Sequence, residues 1–580
     1  MRLKSLTANQ PTFRPVNFNA TGVSLIVGAQ KDKTDKSTSR TYNGVGKSLL
    51  VALLHFCLGA NRNKELESKL PEWQFILHFE HEGKDYRVSR ATSKQTIFNV
   101  NGDELKTKEY RDLIGSGVFP SATGVKQLSF RNVVRNFIRP RASSYISYSE
   151  VDKHDTPFDN LLRNSFLLGL NTSLVLAKHD LKLEKDKVKE QRDSLCKDNV
   201  FREYFTGNKD PDIELRDLEL RIANLQTSKA QFRVADDYYE KQCEADEVQR
   251  TVQKVRNSTV VLRNAIRDID KSLVIHPDLA PSDIASVYAE ANAALPEKVI
   301  KTLKQVCDFH ARLLDTRVAR LSAEKQRLEA EITALEATLA QQSQLLDGLM
   351  HYLGTHGAFD EFVKLSDELA SLETNAQKLR DYKGLLEKYS NKTQELTAAL
   401  SSQTIKANNY LKDAKPLLDS NLDVFRGFSS QFYGEKPGGL TVSNNEGDNQ
   451  VRFDIKARIE DDAADGINEV KLFCYDMTVL TQRHGHLMDF LVHDSRLFGG
   501  IDKRQRATLF KIAHEIAVRR GMQYITTINE DLIDAMRDQF TDEEFSECIE
   551  KATVLKLTDD SPIGKLLGIQ VDMHYEDDEA

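Results

Sequence analysis

The spacing of apolar residues divides this chain of 580 residues into three zones. Residues 1–170 and 424–580 combine short alternating or continuous apolar runs, which are typical of β-strands, with helical patterns. The zone between them follows one long helical pattern. The predicted strands are 2–8, 23–28, 74–79, 85–90, 96–100, 440–442, 451–459, 489–493 and 524–527.

The apolar residues of the middle zone recur in alternating steps of three and four. This spacing places one apolar seam along a supercoiled helix and predicts a coiled coil, although a globular helical bundle also uses a seam. Shorter repeats of this kind occupy 174–195, 215–225 and 365–386. The longest ladder contains Val318, Leu321, Leu328, Ile332, Leu335, Leu339, Leu346 and Leu349.

Two helical arms need a turning point, and Pro277, Pro281 and Pro296 supply it. Each arm also contains a break with glycine, one at 206–211 and the other at 354–357. The two breaks lie at similar distances from the turning point, so we interpret them as a joint. Two unrelated surface loops are the alternative interpretation.

An antiparallel hairpin returns the chain to its start, so the two terminal zones are expected to meet in space. The predicted architecture is a split α/β head joined by a long antiparallel α-helical coiled coil. Its predicted parts are the N-terminal half of the head at 1–170, an ascending arm at 171–273, a tip at 274–297, a descending arm at 298–423 and the C-terminal half of the head at 424–580.

Composition limits where the protein acts and what it contacts. The formal charge of −8 gives no overall attraction to nucleic acid or to an anionic membrane, so any DNA contact needs a local basic patch. The six cysteines include no CxxC pair, which argues against a zinc site or a disulfide framework. No run reaches the ~18 apolar residues of a membrane span, and no signal-peptide pattern is present. We therefore expect a cytoplasmic protein.

The strongest chemical signal lies between a predicted strand and an apolar helical run. It consists of Asn43, Gly44, Val45, Gly46, Lys47, Ser48 and Leu49. In a phosphate loop, backbone N–H groups surround phosphate oxygens, the lysine reaches the β/γ-phosphates and the serine hydroxyl binds Mg²⁺. Thr41 stands where the pattern asks for its first glycine, and residues 29–40 form a polar insertion. An ordinary glycine turn before Lys-Ser is the alternative.

The second half of this site is expected in the C-terminal zone. The predicted strand at 489–493 is mostly apolar and leads into Asp494. An aspartate in that position can hold Mg²⁺, as a Walker-B residue does, whereas the alternative is a buried strand that ends in a simple Asp-Ser turn. The sequence therefore predicts a site for ATP and Mg²⁺. Its magnesium ligands are Ser48 and Asp494, and its catalytic candidates are Lys47, Asp494 and Ser495.

Three segments resemble the opening of SMC-type ABC ATPases: Arg2-Leu3-Lys4-Ser5-Leu6, Leu25-Ile26-Val27-Gly28 and the phosphate loop. More narrowly, Phe56-Cys57-Leu58-Gly59 and residues 489–502 are similar to a bacterial SMC-like family found in ABC-three-component systems that defend against phages and mobile elements. The resemblance follows the whole chain in order, although its sharp motifs lie in the two head segments. It implies a split ABC-type ATPase head that dimerises and clamps ATP between a phosphate loop and the partner's signature motif.

The resemblance also implies further site residues. The signature-like stretch keeps one glycine of the usual pair and has no serine. It comprises Asp465, Gly466, Asn468 and Glu469. The D-loop position falls on Asp502, and Asn529 stands near the position of the switch histidine.

Ser495 occupies the position at which ABC ATPases generally carry a glutamate that polarises the attacking water. A serine cannot act as a carboxylate base, although it can orient a water molecule. Because positioning and charge stabilisation carry most of phosphoryl-transfer catalysis, we expect slow or partner-stimulated hydrolysis. Glu469 and Asp502 are candidates to replace the missing carboxylate.

A locally basic segment lies just before the first arm. On a helix, several of its arginines would share one face, which makes them candidates for sequence-independent contacts with DNA phosphates. A solvated amphipathic helix is the alternative. The candidate residues are Arg131, Arg135, Arg139 and Arg141.

Three functions fit these observations. The first is an SMC-like ATPase that dimerises through its heads, senses or grips double-stranded DNA and controls an effector, such as a nuclease, together with an accessory subunit in bacterial defence. The second is a non-hydrolysing, nucleotide-dependent scaffold that organises partners through its coiled coil. The third is a DNA-repair ATPase that acts with a nuclease. No membrane contact is expected from any of them.

Overall fold

The computed structural model describes residues 1–30, 44–197, 210–231, 236–274, 297–353, 359–436, 438–460 and 466–573. Two compact units are present, one made of Met1–Lys197 and Lys388–Ala580 and the other of Asp198–Glu387. The predicted tip at 274–297 and the two predicted breaks lie almost entirely outside the described residues.

The described part of the first unit contains three β-sheets. The strands are β1 (Arg2–Ala8), β2 (Val16–Asn17), β3 (Gly22–Ala29), β4 (Gln74–His81), β5 (Lys84–Ala91), β6 (Ile97–Val100), β7 (Asp103–Lys106), β8 (Gly438–Asn444), β9 (Phe453–Ile459), β10 (Phe490–His493), β11 (Gln523–Asn529) and β12 (Thr553–Thr558). An antiparallel sheet has the order β2-β1-β4-β5-β6-β7, a second sheet has the order β10-β11-β3-β12, and β8 pairs with β9. Each strand predicted from the sequence is present, with its ends displaced by no more than two residues.

The second sheet is parallel throughout and combines strands from both ends of the chain. β3 lies between β11 and β12, so that Val23 pairs with Tyr524 and Leu25 pairs with Thr553. All residues of β3 are buried, as expected for a parallel strand covered on both faces. The two terminal zones therefore form one α/β domain, as the antiparallel hairpin predicted.

The described residues also form fifteen α-helices. Those of the first half are α1 (Lys47–Cys57), α2 (Lys64–Lys69), α3 (Thr107–Val118), α4 (Phe130–Ile138), α5 (Pro157–Leu167), α6 (Thr172–Lys197), α7 (Pro211–Gln231) and α8 (Asp236–Val274). Those of the second half are α9 (Glu297–Leu353), α10 (Phe359–Asp413), α11 (Lys415–Tyr433), α12 (Ile467–Gln482), α13 (Lys503–Arg520), α14 (Glu530–Met536) and α15 (Asp542–Phe545). Within the described ranges, none of these helices has the length and apolarity that crossing a membrane requires.

The second unit is built from long antiparallel helices. Along α8 and α9, Lys325 contacts Asp270 at 2.7 Å and Arg263 contacts Glu336 at 2.8 Å, so residue numbers rise on one helix as they fall on the other. Several members of the predicted ladders are buried, which supports the coiled-coil interpretation of this segment, although Val318 is 47% exposed. The buried members are Leu328, Ile332, Leu349, Leu369, Leu372, Ala376 and Leu379.

Candidate nucleotide site

The ends of β3, β10 and β11 lie along one edge of the parallel sheet. Parallel strands point in the same direction, so their carboxyl ends lie along a single edge, which is where open α/β sheets bind ligands. Residues 44–46 lead into α1 near the end of β3, Asp494 directly follows β10, and β11 ends at Asn529. The fold thus brings the predicted phosphate loop and the predicted Walker-B aspartate together.

The phosphate loop has the backbone conformation that its glycines permit. Gly44 and Gly46 have φ angles of 79° and 104°, in the left-handed region that glycine adopts without steric cost. Gly46 precedes α1 and supplies no side-chain cap, so the N–H groups of the first helical turn are suited to an anion. Leu49 is a buried core residue, which leaves its backbone as the part that can face a ligand. Asn43 lies outside the described residues.

Lys47 is only 7% exposed and points back towards β3. A Cβ atom at Gly28 would stand 2.8 Å from the Lys47 Nζ atom, so a side chain at this strand residue would displace the ammonium group. Burial lowers the pKa of Lys47, while the charges of Asp494 and Asp531 oppose that change. The sequence analysis gave Gly28 no role in the site, although its place at the end of an apolar strand was visible.

Asp494 joins the two halves of the site. The Ser48 hydroxyl donates to the Asp494 Oδ2 atom at 2.7 Å, and the Thr527 hydroxyl donates to the Oδ1 atom at 2.8 Å. The backbone N–H of Ser495 also donates to Oδ1, at 2.8 Å. This carboxylate is almost fully buried, and the Ser495 hydroxyl at 3.3 Å and the Arg496 Nε atom at 3.5 Å also approach it. Thr527 was missed as a site residue because a threonine is also an ordinary strand residue.

The donor set at this point fits Mg²⁺. A serine hydroxyl and one carboxylate are hard oxygen ligands, and Mg²⁺ in phosphate-binding sites usually takes one or two such protein ligands together with substrate phosphates and water. Across the described part of the chain, no group of three or more His, Cys, Asp or Glu side chains is placed to hold a metal by itself. The arrangement of Ser48 and Asp494 suits a metal that arrives with a nucleotide.

Ser495 offers a hydroxyl where related sites would offer a carboxylate. Its Oγ atom lies 3.3 Å from Asp494 Oδ1, and its backbone N–H also approaches the Thr527 Oγ1 atom at 2.9 Å. The Asp502 carboxylate accepts the Gln505 N–H at 2.8 Å and so caps α13. A Cβ atom at Gly500 would lie 2.6 Å from Glu469 Oε1, which places the Glu469 carboxylate against the backbone two residues before Asp502.

The signature-like segment begins helix α12. Gly466 has a φ angle of 86°, and a Cβ atom there would stand 2.5 Å from the Gly500 carbonyl oxygen, so both its conformation and its surroundings require glycine. The Asn468 side chain donates to the Ile146 carbonyl at 3.0 Å. Asp465 lies outside the described residues. The described part of the segment therefore packs directly against residues 500–501.

Asn529, the candidate switch residue, lies where β11 ends and α14 begins. It pairs in register with Gly28 at the end of β11 and precedes α14. Its Oδ1 atom is buried and has no hydrogen-bond partner among the described residues. A buried amide oxygen without a partner at the ligand-binding edge is free to accept a bond from a bound molecule.

The predicted row of DNA-binding arginines is wrong for Arg135, Arg139 and Arg141, because all three are buried. Helix α4 ends at Ile138, and Arg139 adopts a left-handed conformation, so no continuous helical row exists. Arg135 and Arg141 both pair with Asp152, at 2.8 and 3.4 Å. Arg131 is partly buried on the first turn of the same helix. These guanidinium groups belong to the interior of the head.

A segment near the C-terminus also contacts the phosphate loop. The Leu566 N–H donates to the Val45 carbonyl at 3.0 Å, and the Leu566 side chain is fully buried. A Cβ atom at Gly46 would stand 2.5 Å from Leu566 Cβ. Arg14 donates to the carbonyl oxygen of Gly564 at 3.0 Å and holds the same segment. No pattern in the sequence predicts this contact.

Comparison with known proteins gives one family match and several structural similarities. A family described as "Uncharacterised protein conserved in bacteria (DUF2326)" matches residues 428–571, the part of the chain that contains Asp494 and Leu566. A comparison with curated proteins gives no match.

Three of the similar solved structures are SMC heads. The Smc head domain with a coiled coil and joint from Pyrococcus yayanosii is 14% identical, with 93% of each chain covered and a TM-score of 0.34. The Pyrococcus furiosus Smc head with an extended coiled coil, bound to the C-terminal domain of ScpA, is 10% identical, with 93% of this chain and 91% of that chain covered and a TM-score of 0.32. An SmcHead bound to the C-winged helix domain of ScpA is 9% identical, with coverages of 93% and 92% and a TM-score of 0.37.

Proposed function

We propose that this chain is an SMC-like ATPase that binds ATP with Mg²⁺ at the edge of its parallel sheet and hydrolyses it slowly. The bond of 2.7 Å between Ser48 and Asp494, which are 446 residues apart in the sequence, carries the proposal. An ordinary glycine turn before Lys-Ser would not need a buried aspartate from the opposite end of the chain. This pairing instead fits a serine and an aspartate that share a metal ion.

Each residue of the site has a chemical task in this proposal. The N–H groups at the start of α1 and the Lys47 ammonium hold the phosphates of ATP. Ser48 and Asp494 hold Mg²⁺, which when bound neutralises charge on the β- and γ-phosphates. Ser495 orients the attacking water without taking its proton as a carboxylate would. Turnover is therefore slow unless Glu469 or Asp502 supplies a base after a rearrangement.

Two heads close on ATP in the proposed cycle. Helix α12 begins at Gly466 without a side-chain cap, so its first N–H groups are suited to the γ-phosphate of a nucleotide held by a second copy. Asn468 and Glu469 on the first turn would face that phosphate, and Asp502 would lie at the head–head contact. The chain is thus proposed to dimerise through its heads when ATP is bound.

The biological role proposed for this cycle is control of a partner. The head dimer senses or grips double-stranded DNA in the cytoplasm and controls an effector and an accessory subunit in bacterial defence against phages or plasmids. This part of the proposal rests on the family resemblance of the sequence motifs. The arginines at 135, 139 and 141 have no place in it.

Ser495 favours a second candidate function, a nucleotide-dependent scaffold that does not hydrolyse ATP. Steady-state ATP hydrolysis by the intact chain, with and without double-stranded DNA, separates the two. The ATPase proposal expects Mg²⁺-dependent turnover that DNA increases and that Lys47→Ala abolishes. ATP binding without turnover under either condition supports the scaffold, and turnover that persists in Lys47→Ala contradicts the assigned site.

A further inference from the structure

A chain of buried polar side chains lies directly behind Asp494. His493, the last residue of β10, has its Nε2 atom 2.9 Å from Asp476 Oδ2 and its Nδ1 atom 3.0 Å from the Tyr524 hydroxyl. Asp476 also accepts two bonds from Arg139, from Nε at 2.5 Å and from Nη2 at 2.8 Å. All four side chains are almost completely buried. The proposed role of Asp494 in holding the metal uses none of them.

The hydrogen-bond partners of His493 determine which of its ring nitrogens carries the proton. Asp476 faces the guanidinium of Arg139 as a carboxylate, and a carboxylate only accepts, so the Nε2 atom of His493 carries the proton and donates. Its Nδ1 atom then accepts from the Tyr524 hydroxyl. Both ring nitrogens are therefore bonded, and the imidazole has a single orientation.

The backbone beside His493 is held as tightly as its ring. The Thr526 hydroxyl donates to the His493 carbonyl at 3.0 Å, and the Asp494 N–H donates to the Tyr145 hydroxyl at 2.6 Å. The polar groups on both sides of the bond that joins His493 to Asp494 are thus satisfied. This leaves the Asp494 carboxylate little freedom to turn away from Ser48.

A buried ionic network is a weak source of stability, because removing charges from water offsets most of what their pairing contributes. An apolar residue would complete β10, whose other residues, Phe490–Val492, are apolar and buried. The contacts of His493 instead fix the orientation of the C-terminal end of β10. Asp476 lies on α12, so the same contacts attach that end to the helix that begins at Gly466.

We propose that His493 is a positioning residue for Asp494. Held by Asp476 and Arg139, it sets the end of β10 so that the Asp494 carboxylate meets Ser48 and the metal ion. The inference rests on the proposed function, because the metal arrives with the nucleotide. Side chains that support a metal ligand typically change metal affinity about 10–100-fold when they are removed.

The test uses His493→Leu, which keeps a buried apolar side chain of similar size but removes both ring contacts. Hydrogen–deuterium exchange of the Asp494 and Ser495 amides in nucleotide-free protein reports the position of the strand end. The Mg²⁺ concentration that half-saturates binding of a fluorescent ATP analogue reports the metal site. The control is Ile516→Ala, which creates a cavity where α13 packs on the core and so lowers stability without touching the site.

The expected result is faster exchange at these two amides and a half-saturating Mg²⁺ concentration about 10-fold higher, as for other supports of metal ligands. Affinity for the analogue in EDTA stays at the wild-type value, and Ile516→Ala changes neither quantity. If His493→Leu does not fold, His493→Asn, which is too short to reach Asp476, is expected to change Mg²⁺ dependence in the same direction.

A wild-type Mg²⁺ dependence in the folded variant overturns this inference and leaves the proposed function intact. A wild-type protein that binds no nucleotide overturns the proposed function and this inference with it. An Ile516→Ala protein with the same change in Mg²⁺ dependence as His493→Leu also overturns it, because general destabilisation then accounts for the effect.

Discussion

One buried carboxylate, Asp494, is the residue on which the site depends. It accepts bonds from Ser48 at the start of α1, from Thr527 near the end of β11 and from the N–H of Ser495, the residue that follows it. The proposed function gives these neighbouring residues separate tasks, with metal binding at Asp494 and control of water at Ser495.

The first prediction concerns the missing carboxylate. Ser495→Glu keeps the backbone bonds of residue 495 and adds a group that can accept a proton from the attacking water. General-base catalysis typically contributes about 10²–10⁴-fold, so basal ATP turnover should rise at least about tenfold. Ser495→Gln, which has the same shape without the charge, is the control. Equal turnover in the wild type and in both variants would show that the carboxylate at this position does not limit hydrolysis.

The second prediction concerns acid stability and His486, which is buried between α12 and β10. Its Nε2 atom donates to the Val479 carbonyl at 3.0 Å and its Nδ1 atom accepts the Met488 N–H at 3.2 Å. Burial lowers the pKa of His486 from 6.5 to about 4. The unfolded chain therefore takes up this proton more readily, and the free energy of unfolding falls as the pH drops from 6.5 towards 4.

This loss in the free energy of unfolding is negligible well above pH 6.5 and reaches its full value below the folded-state pKa of His486. Between pH 7 and pH 5 it should amount to about 2 kcal/mol, by proton linkage. Urea unfolding of the wild type and of His486→Gln at both pH values measures it. The variant should lose less stability on acidification than the wild type, and an identical loss in the two proteins would contradict the assignment.

Residue spacing alone predicted part of this site. Lys47 and Ser48 were predicted from a glycine turn that precedes an apolar helical run, and Asp494 from its place after an apolar strand; the structure brings Ser48 and Asp494 into contact. The prediction that the arginines bind DNA was wrong because a spacing of four residues does not show that Asp152 and Asp476 pair with them in the interior. Whether a charge is solvated or paired depends on distant residues, and local spacing carries no information about those.

At the level of elements, strands with a clear apolar pattern were predictable and weakly patterned ones were not. β4 alternates buried and partly buried residues along its whole length, and its period of two is visible in the sequence. β12 was not predicted because Thr553 and Thr558 limit its apolar run to a few residues. Its place beside β3 comes from a pairing across more than 500 residues, which sequence pattern cannot show.

The third prediction concerns the segment that follows β12. Leu566 is fully buried against Gly46, whereas Ile563 in the same segment is 78% exposed. Leu566→Ala removes a buried side chain, which typically costs about 2–5 kcal/mol, and leaves a cavity beside the phosphate loop. We expect faster amide exchange at residues 44–48 and weaker ATP binding, measured by exchange mass spectrometry and calorimetry. Ile563→Ala is the matched control, and equal ATP affinity in the two variants would show that the segment does not support the loop.

At the level of the whole molecule, the parallel sheet explains why the chain has its order of parts. β3 comes from the start of the chain, and its neighbours β11 and β12 come from the end. Neither end can complete the sheet or the site alone, since Ser48 and Asp494 lie in different halves. The antiparallel helices between the two halves return the chain to the sheet, and their apolar ladders made this return predictable.

ATP binding by the intact chain tests the central claim most directly. Calorimetric titration with ATP and Mg²⁺ would compare the wild type with Lys47→Ala, and with Lys69→Ala as a control at an exposed lysine on α2. The wild type and Lys69→Ala are expected to bind ATP, while Lys47→Ala, with its circular dichroism unchanged, loses binding because the phosphates lack their counter-charge. Equal ATP affinity in the wild type and in Lys47→Ala, or no binding by any of the three proteins, would contradict the account.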